Sequence, residues 1–341
     1  MQTRGGGRRR GRREFLGAAA GLGATAAGVA LWASDAPLPW RARAEPALIG
    51  YLLPGFEETD VGRVAFSRGL REQGLIEGEN LRIAWRYAGA EPEGLPGLAT
   101  ELLELGVRVL VAGGNTGTLA ARQATDRVPI VSVNGLADPV AEGFVTSLAR
   151  PGGNLTGVVS AGGTYAKTAE LLAEAVPTGR RLAYVGNVST STSPHGEVTA
   201  AAADLGLDVL VVDVPTQDRL EPAFEQAVAW GADLLTAQSV IPLNVNPNQL
   251  PGLALRARLP AASSASGRPW VEAGFLLHYG SDSTATSHRA AWYMARILAG
   301  TDPGDLPFER IGNARLTVNR ATLTYLGLTL PEHVAVQVTE W

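Results

Sequence analysis

Short apolar runs alternate with longer segments of helical periodicity along most of the chain. An apolar run at 47–53 ends at Pro54-Gly55, and apolar residues then recur at helical spacing until Gly74 stops the pattern. In the first half of the chain this rhythm predicts strands at 47–53, 81–87, 107–112 and 130–133, and helices at 60–73, 95–105 and 116–125.

A second series of the same kind follows. It predicts helices at 165–176, 194–205, 220–230 and 247–258, and strands at 181–186, 208–214 and 234–237. Alternation of this kind is typical of parallel sheets that carry helices on both faces. Two successive series therefore predict two such sheets in one α/β chain.

The loops that follow the strands are the candidate binding loops. Ligands of open α/β sheets bind beyond the carboxyl ends of the strands. This rule selects five loops, at 54–58, 113–116, 134–139, 187–193 and 238–241.

The first 44 residues have the layout of an export signal. Arg12-Arg13 is followed by Phe15-Leu16, residues 17–33 carry no charge, and Ala42 and Ala44 precede Glu45. This order predicts a twin-arginine signal peptide at 1–44, and therefore a periplasmic protein. An uncleaved membrane anchor is the alternative, because the apolar stretch approaches the ~17–20 residues that span a bilayer. No second run of this length follows, so a soluble mature protein is expected.

Without the predicted signal peptide, the chain is clearly acidic. Residues 45–341 carry 21 basic and 31 acidic groups, a formal charge of −10 against −4 for the whole chain. An acidic body argues against nucleic acid or anionic lipid as the main partner. Cysteine is absent, which excludes disulfides, thiolate metal sites, a cysteine nucleophile and an acylated cysteine anchor.

The common sequence signatures of enzymes are missing. The four histidines form no metal-spaced pair, neither HExxH nor GxSxG occurs, and Lys167 lacks the glycine that a phosphate-binding loop requires. A glycine-rich stretch at 21–26 follows no strand, so it does not predict a dinucleotide site. We therefore expect no cofactor, no metal and no catalytic residue, although a triad needs no sequence adjacency and an exported α/β enzyme stays an alternative.

Several segments, in a fixed order, carry a resemblance to a known family. The most distinctive is SLARPGGNLTG at 147–157; the others are FSRGLR at 66–71, EGEN at 77–80, GGNT at 113–116, AARQAT at 120–125, DPV at 138–140, VEAG at 271–274, ILAG at 297–300 and LGL at 326–328. Over residues 47–331 the chain resembles the ABC transporter substrate-binding proteins typified by bacterial tryptophan and tyrosine binders.

The resemblance implies a type I periplasmic-binding-protein fold, with two doubly wound parallel-sheet lobes joined by multiple hinge crossovers. Lobe 1 is expected at 45–157 plus 281–312, and lobe 2 at 158–280 plus 313–341. The implied function is capture of a small organic solute, an amino acid or related carboxylate, in the interlobe cleft for an ABC importer. The partners would be the permease and ATPase subunits, with the binding protein a monomer. A ligand-sensing module for a membrane receptor is the alternative.

Two departures from the family lie in candidate binding loops. Relatives often carry Asn-Pro-x-Asn-Pro after the first strand of the second lobe, and here only Asn187 survives. Gln238 opens a loop that is often acidic or proline-containing in relatives. Aromatic amino-acid specificity is therefore not transferred strictly from the family.

The candidate site residues of the first half surround a predicted helix start. Backbone N–H groups and the helix dipole at Gly114, Asn115 and Thr116 favour a ligand carboxylate, although Asn115 or Thr116 would also suit a helix cap. Asp138 could hold a ligand ammonium, or cap the next helix, with Pro139 at its first position.

Three further loops supply the remaining candidates. Pro54-Gly55 brings Phe56 toward a ligand ring or aliphatic chain, or Phe56 packs against the protein. Asn187 and Ser189 open a hydroxyl-rich stretch that suits either a polar ligand or a solvated loop, and Gln238 opens the loop after the strand predicted at 234–237.

Overall fold

The computed structural model describes residues 45–340 apart from 58–59, 61, 90, 135, 137, 160–163, 189–192, 239–242, 244–245, 265–267, 281–282 and 312–313. The predicted signal peptide and the candidate Ser189 lie outside the described residues. In the part of the chain that the structure describes, no helix has both the length and the apolar character required to cross a bilayer.

Thirteen strands and eleven α-helices are formed by the described residues. The strands are β1 (Ala47–Leu53), β2 (Leu81–Tyr87), β3 (Leu110–Gly113), β4 (Ile130–Val133), β5 (Leu155–Val159), β6 (Arg181–Gly186), β7 (Asp208–Asp213), β8 (Leu234–Ala237), β9 (Ala261–Ser264), β10 (Leu277–Gly280), β11 (Glu309–Arg310), β12 (Arg315–Val318) and β13 (Val338–Glu340). The helices are α1 (Gly62–Glu72), α2 (Leu95–Glu104), α3 (Gly114–Ala124), α4 (Thr164–Ala175), α5 (Ser193–Asp204), α6 (Leu220–Trp230), α7 (Gln249–Arg256), α8 (Arg268–Glu272), α9 (Ser283–Leu298), α10 (Arg320–Leu326) and α11 (Glu332–Ala335).

The strands form two sheets. Sheet one has the order β11-β5-β4-β3-β1-β2 and is parallel throughout. Sheet two has the order β13-β12-β10-β9-β8-β6-β7 and is parallel except for the β10–β12 pair. The chain leaves sheet one after β5, returns to it after β10 and leaves it again after β11. The lobe boundaries given by the sequence stay a prediction.

The central strands of both sheets are buried on both faces, because side chains alternate between the faces and helices cover each of them. In β1, Ile49 and Tyr51 enter a core with residues of α1 and α9, whereas Leu52 enters a second core with residues of α2 and α3. Sheet two has the same arrangement, with Leu182 and Tyr184 on one face of β6 and Val185 on the other.

The predicted elements agree with the observed ones within two residues, except around β3. The prediction gave a strand at 107–112 and a helix from 116, and the structure has β3 at Leu110–Gly113 with α3 beginning at Gly114. Arg108 still donates its amide to the Leu48 carbonyl at 2.8 Å, so the segment before β3 also bonds to β1. Gly114 has φ +68°, which only glycine adopts readily, and this lets the chain turn from strand to helix without a linker.

Burial raises the pKa of five tyrosine phenols: Tyr51, Tyr87, Tyr165, Tyr184 and Tyr293. The whole chain has seven tyrosines, one lysine and no cysteine, so phenols dominate its titration above pH 9. Because the folded pKa values exceed the unfolded value of about 10, the stability they contribute is present below that pH and is lost as the pH rises beyond it.

An alkaline titration followed by phenolate absorbance tests this. At pH 11 we expect the folded chain to show far fewer ionised phenols than the chain in denaturant, and the urea midpoint to be lower than at pH 8. Equal phenolate absorbance with and without denaturant would contradict the burial of these rings.

Candidate functional site

Three of the predicted binding loops meet at the carboxyl edge of sheet one. A Cβ atom placed on Gly114 would lie 3.7 Å from the Pro54 ring and 4.0 Å from the Asn134 carbonyl oxygen. The loops after β1, β3 and β4 are therefore in direct contact, as the ends of neighbouring parallel strands should be.

The start of α3 is open. No side chain caps it, and Asn115 and Thr116 are exposed. Asn115 instead donates its side-chain amide to Glu142 Oε2 at 2.6 Å. The first N–H groups of a helix have no intrahelical partner, so this turn offers donors to an anion. That Gly114, Asn115 and Thr116 contact a ligand stays a prediction.

Asp138 caps a turn, whereas the sequence suggested a helix cap as the alternative to ligand binding. Its Oδ1 atom accepts hydrogen bonds from the amides of Val140 and Ala141, at 3.1 and 3.0 Å. The residue is exposed, so capping does not prevent it from binding a ligand. Burial raises the pKa of nearby Glu142, and the charge of Asp138 adds to the shift. The Glu142 carboxyl therefore borders the start of α3, and Asp138 lies in the same turn as Glu142.

Phe56 packs partly against the protein. Its ring lies 3.5 Å from the position of a Cβ atom on Gly89, and Gly55 accepts a hydrogen bond from the Gly89 amide at 2.7 Å. The ring remains half-buried, which leaves part of it for a ligand.

A second polar group at this edge was missed by the sequence analysis. Asp60 accepts hydrogen bonds from the amides of Gly62 and Arg63 at 3.0 and 3.2 Å, and from the Tyr87 hydroxyl at 3.0 Å. Burial raises the pKa of Asp60 despite these bonds. Burial also raises the pKa of Tyr51, and the charge of Asp60 adds to that shift.

Asn134 joins the β4 loop to helix α9. Its side-chain amide donates to Ser287 Oγ at 3.0 Å, and its carbonyl accepts from the Thr286 hydroxyl. Asn134 has φ +54°, an uncommon backbone conformation that is frequent at functional sites. Asn134 lies in a loop that topology selected, but no sequence signal links it to a residue 153 positions later.

Sheet two brings Asn187 and Gln238 to its own carboxyl edge. Asn187 follows β6 and Gln238 follows β8, the neighbouring strand, and their exposed fractions are 8% and 4%. The Gln238 backbone amide donates to the Val185 carbonyl at 2.9 Å, which extends the β6–β8 ladder by one residue.

A cavity of about 300 Å³ lies at the opposite edge of sheet two. It is lined by Val176, Thr178, Gly179, Val228, Ala232, Asp233, Ala257, Arg258, Leu259 and Pro260, near the amino ends of β6, β8 and β9. None of the predicted site residues lines it. Ligands of such sheets bind at the carboxyl ends, so we assign the candidate site to the other edge. The described residues contain no cluster of three side chains suited to hold a metal ion.

The sequence matches a family model and a curated relative. The model is described as ABC transporter substrate binding protein and matches residues 57–341. A tyrosine-binding protein from Clostridioides difficile is 24% identical over 274 residues, which cover 79% of this chain and 77% of the relative.

Solved structures share the fold. A conserved domain protein from Vibrio cholerae is 25% identical, and a domain from Streptococcus pneumoniae in complex with L-Trp is 20% identical; both have a TM-score of 0.78 and cover 87% of this chain and 99% of theirs. The ligand-free, open structure of a substrate-binding protein with adhesive properties from Clostridium difficile is 21% identical, with a TM-score of 0.63 and coverage of 86% and 99%. These likenesses confirm the predicted two-lobe α/β fold.

Proposed function

Because the chain belongs to the family of ABC transporter substrate-binding proteins, whose model matches residues 57–341, we propose that it captures an amino acid or related carboxylate between its lobes for an ABC importer. The family membership confirms the resemblance seen in the sequence. The ligand class is supported by relatives that are named as a tyrosine-binding protein and a domain in complex with L-Trp.

The observation that carries the proposal is the pairing of opposite polarities at the carboxyl edge of sheet one. The uncapped start of α3 presents N–H donors; the Glu142 carboxyl borders it through Asn115, and Asp138 lies in the same turn as Glu142. A zwitterion matches both features. Its carboxylate would accept hydrogen bonds from the first turn of α3, and its ammonium would donate to Asp138.

The second lobe would complete the site on closure. Asn187 and Gln238 lie at the carboxyl edge of sheet two, and each can accept and donate hydrogen bonds. A ligand that contacts both lobes binds the closed form more tightly and shifts the population toward it. The permease and ATPase subunits would recognise that closed form, and the binding protein itself would carry out no chemistry.

The proposal places the protein outside the cytoplasm. Residues 1–44 would direct export by the twin-arginine route and be removed before Glu45. The acidic charge of the remaining chain is consistent with a protein that binds neither nucleic acid nor anionic lipid.

A thermal-shift screen of the mature chain, residues 45–341, tests the proposed function. Amino acids, other carboxylates, purines and sugars are added separately, each in large excess. A ligand with a Kd of about 1 μM, at a hundredfold excess over Kd, should add about 2.7 kcal/mol of apparent stability. Stabilisation by an amino acid or carboxylate is expected, and stabilisation only by sugars or purines would contradict the proposal.

Asp138→Asn is expected to weaken binding of the amino acid found in that screen by at least about tenfold. The change removes the charge that would hold the ammonium, and asparagine keeps the oxygen that accepts from Val140 and Ala141. Titration calorimetry measures the affinity. Asp126→Asn is the control, because the Asp126 side chain is 91% exposed and follows α3 at the far edge of the sheet. Equal affinities of the two variants would remove Asp138 from the site.

A further inference from the structure

Three polar side chains of sheet two are buried without hydrogen-bond partners. The exposed fractions of Tyr184, Thr236 and Gln238 are 1%, 3% and 4%. Among the described residues, nothing bonds to the Tyr184 hydroxyl, the Thr236 hydroxyl or Gln238 Oε1. Buried polar groups in native proteins are almost always paired, because an unpaired one destabilises the fold. Three such groups close together indicate a site at which a bound ligand would supply the missing hydrogen-bond partners.

These three side chains share one face of the sheet, and we call them the polar floor. Tyr184 on β6 lies directly opposite Thr236 on β8 in the ladder. Gln238 is two residues beyond Thr236 and points to the same side, because side chains alternate along a strand. Gly186 lets these side chains lie close to the β6 backbone, because a Cβ atom there would lie 2.6 Å from Gln238 Oε1 and 3.2 Å from the Tyr184 ring.

The groups around the polar floor are also polar. The charge of Glu197, on α5, adds to the effect of burial in raising the pKa of Tyr165 and of Tyr184. Tyr165, on α4, lies beside Ser264 at the end of β9. The polar floor therefore lies at the carboxyl edge of sheet two, among the first turns of α4 and α5, where the proposed function requires the second half of the site.

We infer that the polar floor binds the side-chain end of the captured ligand, and that this end carries an N–H or O–H donor. The inference rests on the proposed function. Gln238 Oε1 can only accept a hydrogen bond, so the ligand must supply the donor, whereas the hydroxyls of Tyr184 and Thr236 can donate or accept. A hydrocarbon side chain would leave all three groups buried and unpaired. The substrate class is thus amino acids with a hydroxyl, amide or indole N–H in the side chain.

Titration calorimetry of the full chain with matched ligand pairs tests this inference. The pairs are tyrosine and phenylalanine, tryptophan and 1-naphthylalanine, and asparagine and leucine, each of which differs mainly in one polar group. In at least one pair the donor-bearing member is expected to bind about tenfold tighter or more, which corresponds to 1.4 kcal/mol. Gln238→Met should reduce that preference to within about twofold by weakening the donor-bearing member alone. Gln123→Met, at an exposed position of α3, should leave it unchanged.

Tyr184→Phe provides a second variant that keeps the shape of the side chain. If the Tyr184 hydroxyl forms a hydrogen bond only with a bound ligand, its removal should leave the urea midpoint of the ligand-free chain unchanged or raise it. The preference for the donor-bearing ligand should fall. A lower midpoint would mean that the hydroxyl already has a partner in the free protein, such as a buried water, and would overturn the inference.

The outcomes separate the inference from the function. Apolar members that bind as tightly as their partners would refute the polar floor as a specificity site and leave an amino-acid carrier in place. Failure of every pair to bind would count against the proposed ligand class and would remove the inference with it.

Discussion

Gly157→Ala is expected to lower the free energy of unfolding by about 4 kcal/mol. Gly157 lies in β5 with φ +146°, a conformation that residues with a side chain rarely adopt. A Cβ atom at this position would lie 2.3 Å from the carbonyl oxygen and 2.6 Å from the amide nitrogen of Ser132 on β4. Ser132 is the direct partner of Gly157 in the ladder, so neither strand can move without breaking hydrogen bonds of sheet one. Urea unfolding of the full chain measures the loss.

Gly97→Ala is the matched control. Gly97 is exposed in α2, and a Cβ atom there would meet nothing within 4 Å. Alanine restricts the conformations of the unfolded chain more than glycine does, and it fits a helix without strain. The free energy of unfolding of this variant should therefore rise by about 0.5–1 kcal/mol. If the two variants change the free energy of unfolding in opposite directions, the loss at Gly157 comes from the close approach of the Ser132 backbone and not from a general effect of replacing glycine by alanine. A loss below 1 kcal/mol at Gly157 would mean that β4 and β5 are not held as close as described.

The sequence predicted elements best where apolar residues are continuous. β1 and β6 are apolar runs buried on both faces, and both were predicted with their observed bounds. β9, which reads Ala-Ala-Ser-Ser, has no such signal, and no strand was predicted there. It is a strand because β8 and β10 pair with it on either side. Pairing partners are a tertiary property, which local periodicity does not encode.

The sequence identified the loops that form the candidate site, but it did not predict which residues of these loops contact one another. The rule that ligands bind beyond strand ends selected the loops that contain Pro54, Gly114 and Asn134, and the structure brings these three together. The bond between Asn134 and Ser287 joins residues too far apart in the chain for any spacing rule.

The alternatives that the sequence left open at Asp138 and Asn115 were decided by neighbours. Asp138 caps its turn, because the following amides reach its carboxylate. Asn115 does not cap α3, because the helix begins at Gly114 and its N-cap position is taken by Gly113. The polar floor was equally hidden from the sequence, since only burial distinguishes an unpartnered hydroxyl from a solvated one.

Trp270→Ala, in the core beside sheet two, is expected to lower the free energy of unfolding by about 4 kcal/mol, as much as Gly157→Ala in sheet one. Trp270, on the short helix α8, is 1% exposed and packs edge-to-face on Phe275, with ring centroids 5.6 Å apart. The Phe275 amide donates to the Trp270 carbonyl at 2.8 Å, so the backbone also holds the two rings together. Truncation would leave a large void in a core that also contains aliphatic side chains from β6, β8 and α7.

Trp230→Ala provides the comparison with the same atoms removed. Trp230 ends α6 and is only half-buried, with the Arg181 guanidinium 5.8 Å from its ring. Its loss should cost about 1 kcal/mol or less, because little apolar area returns to water and exposed cation–π contacts are weak. Urea unfolding of both variants gives the difference. Equal losses would mean that the indole of Trp270 is not enclosed by close-packed neighbours, and the core between sheet two and α8 would have to be placed elsewhere.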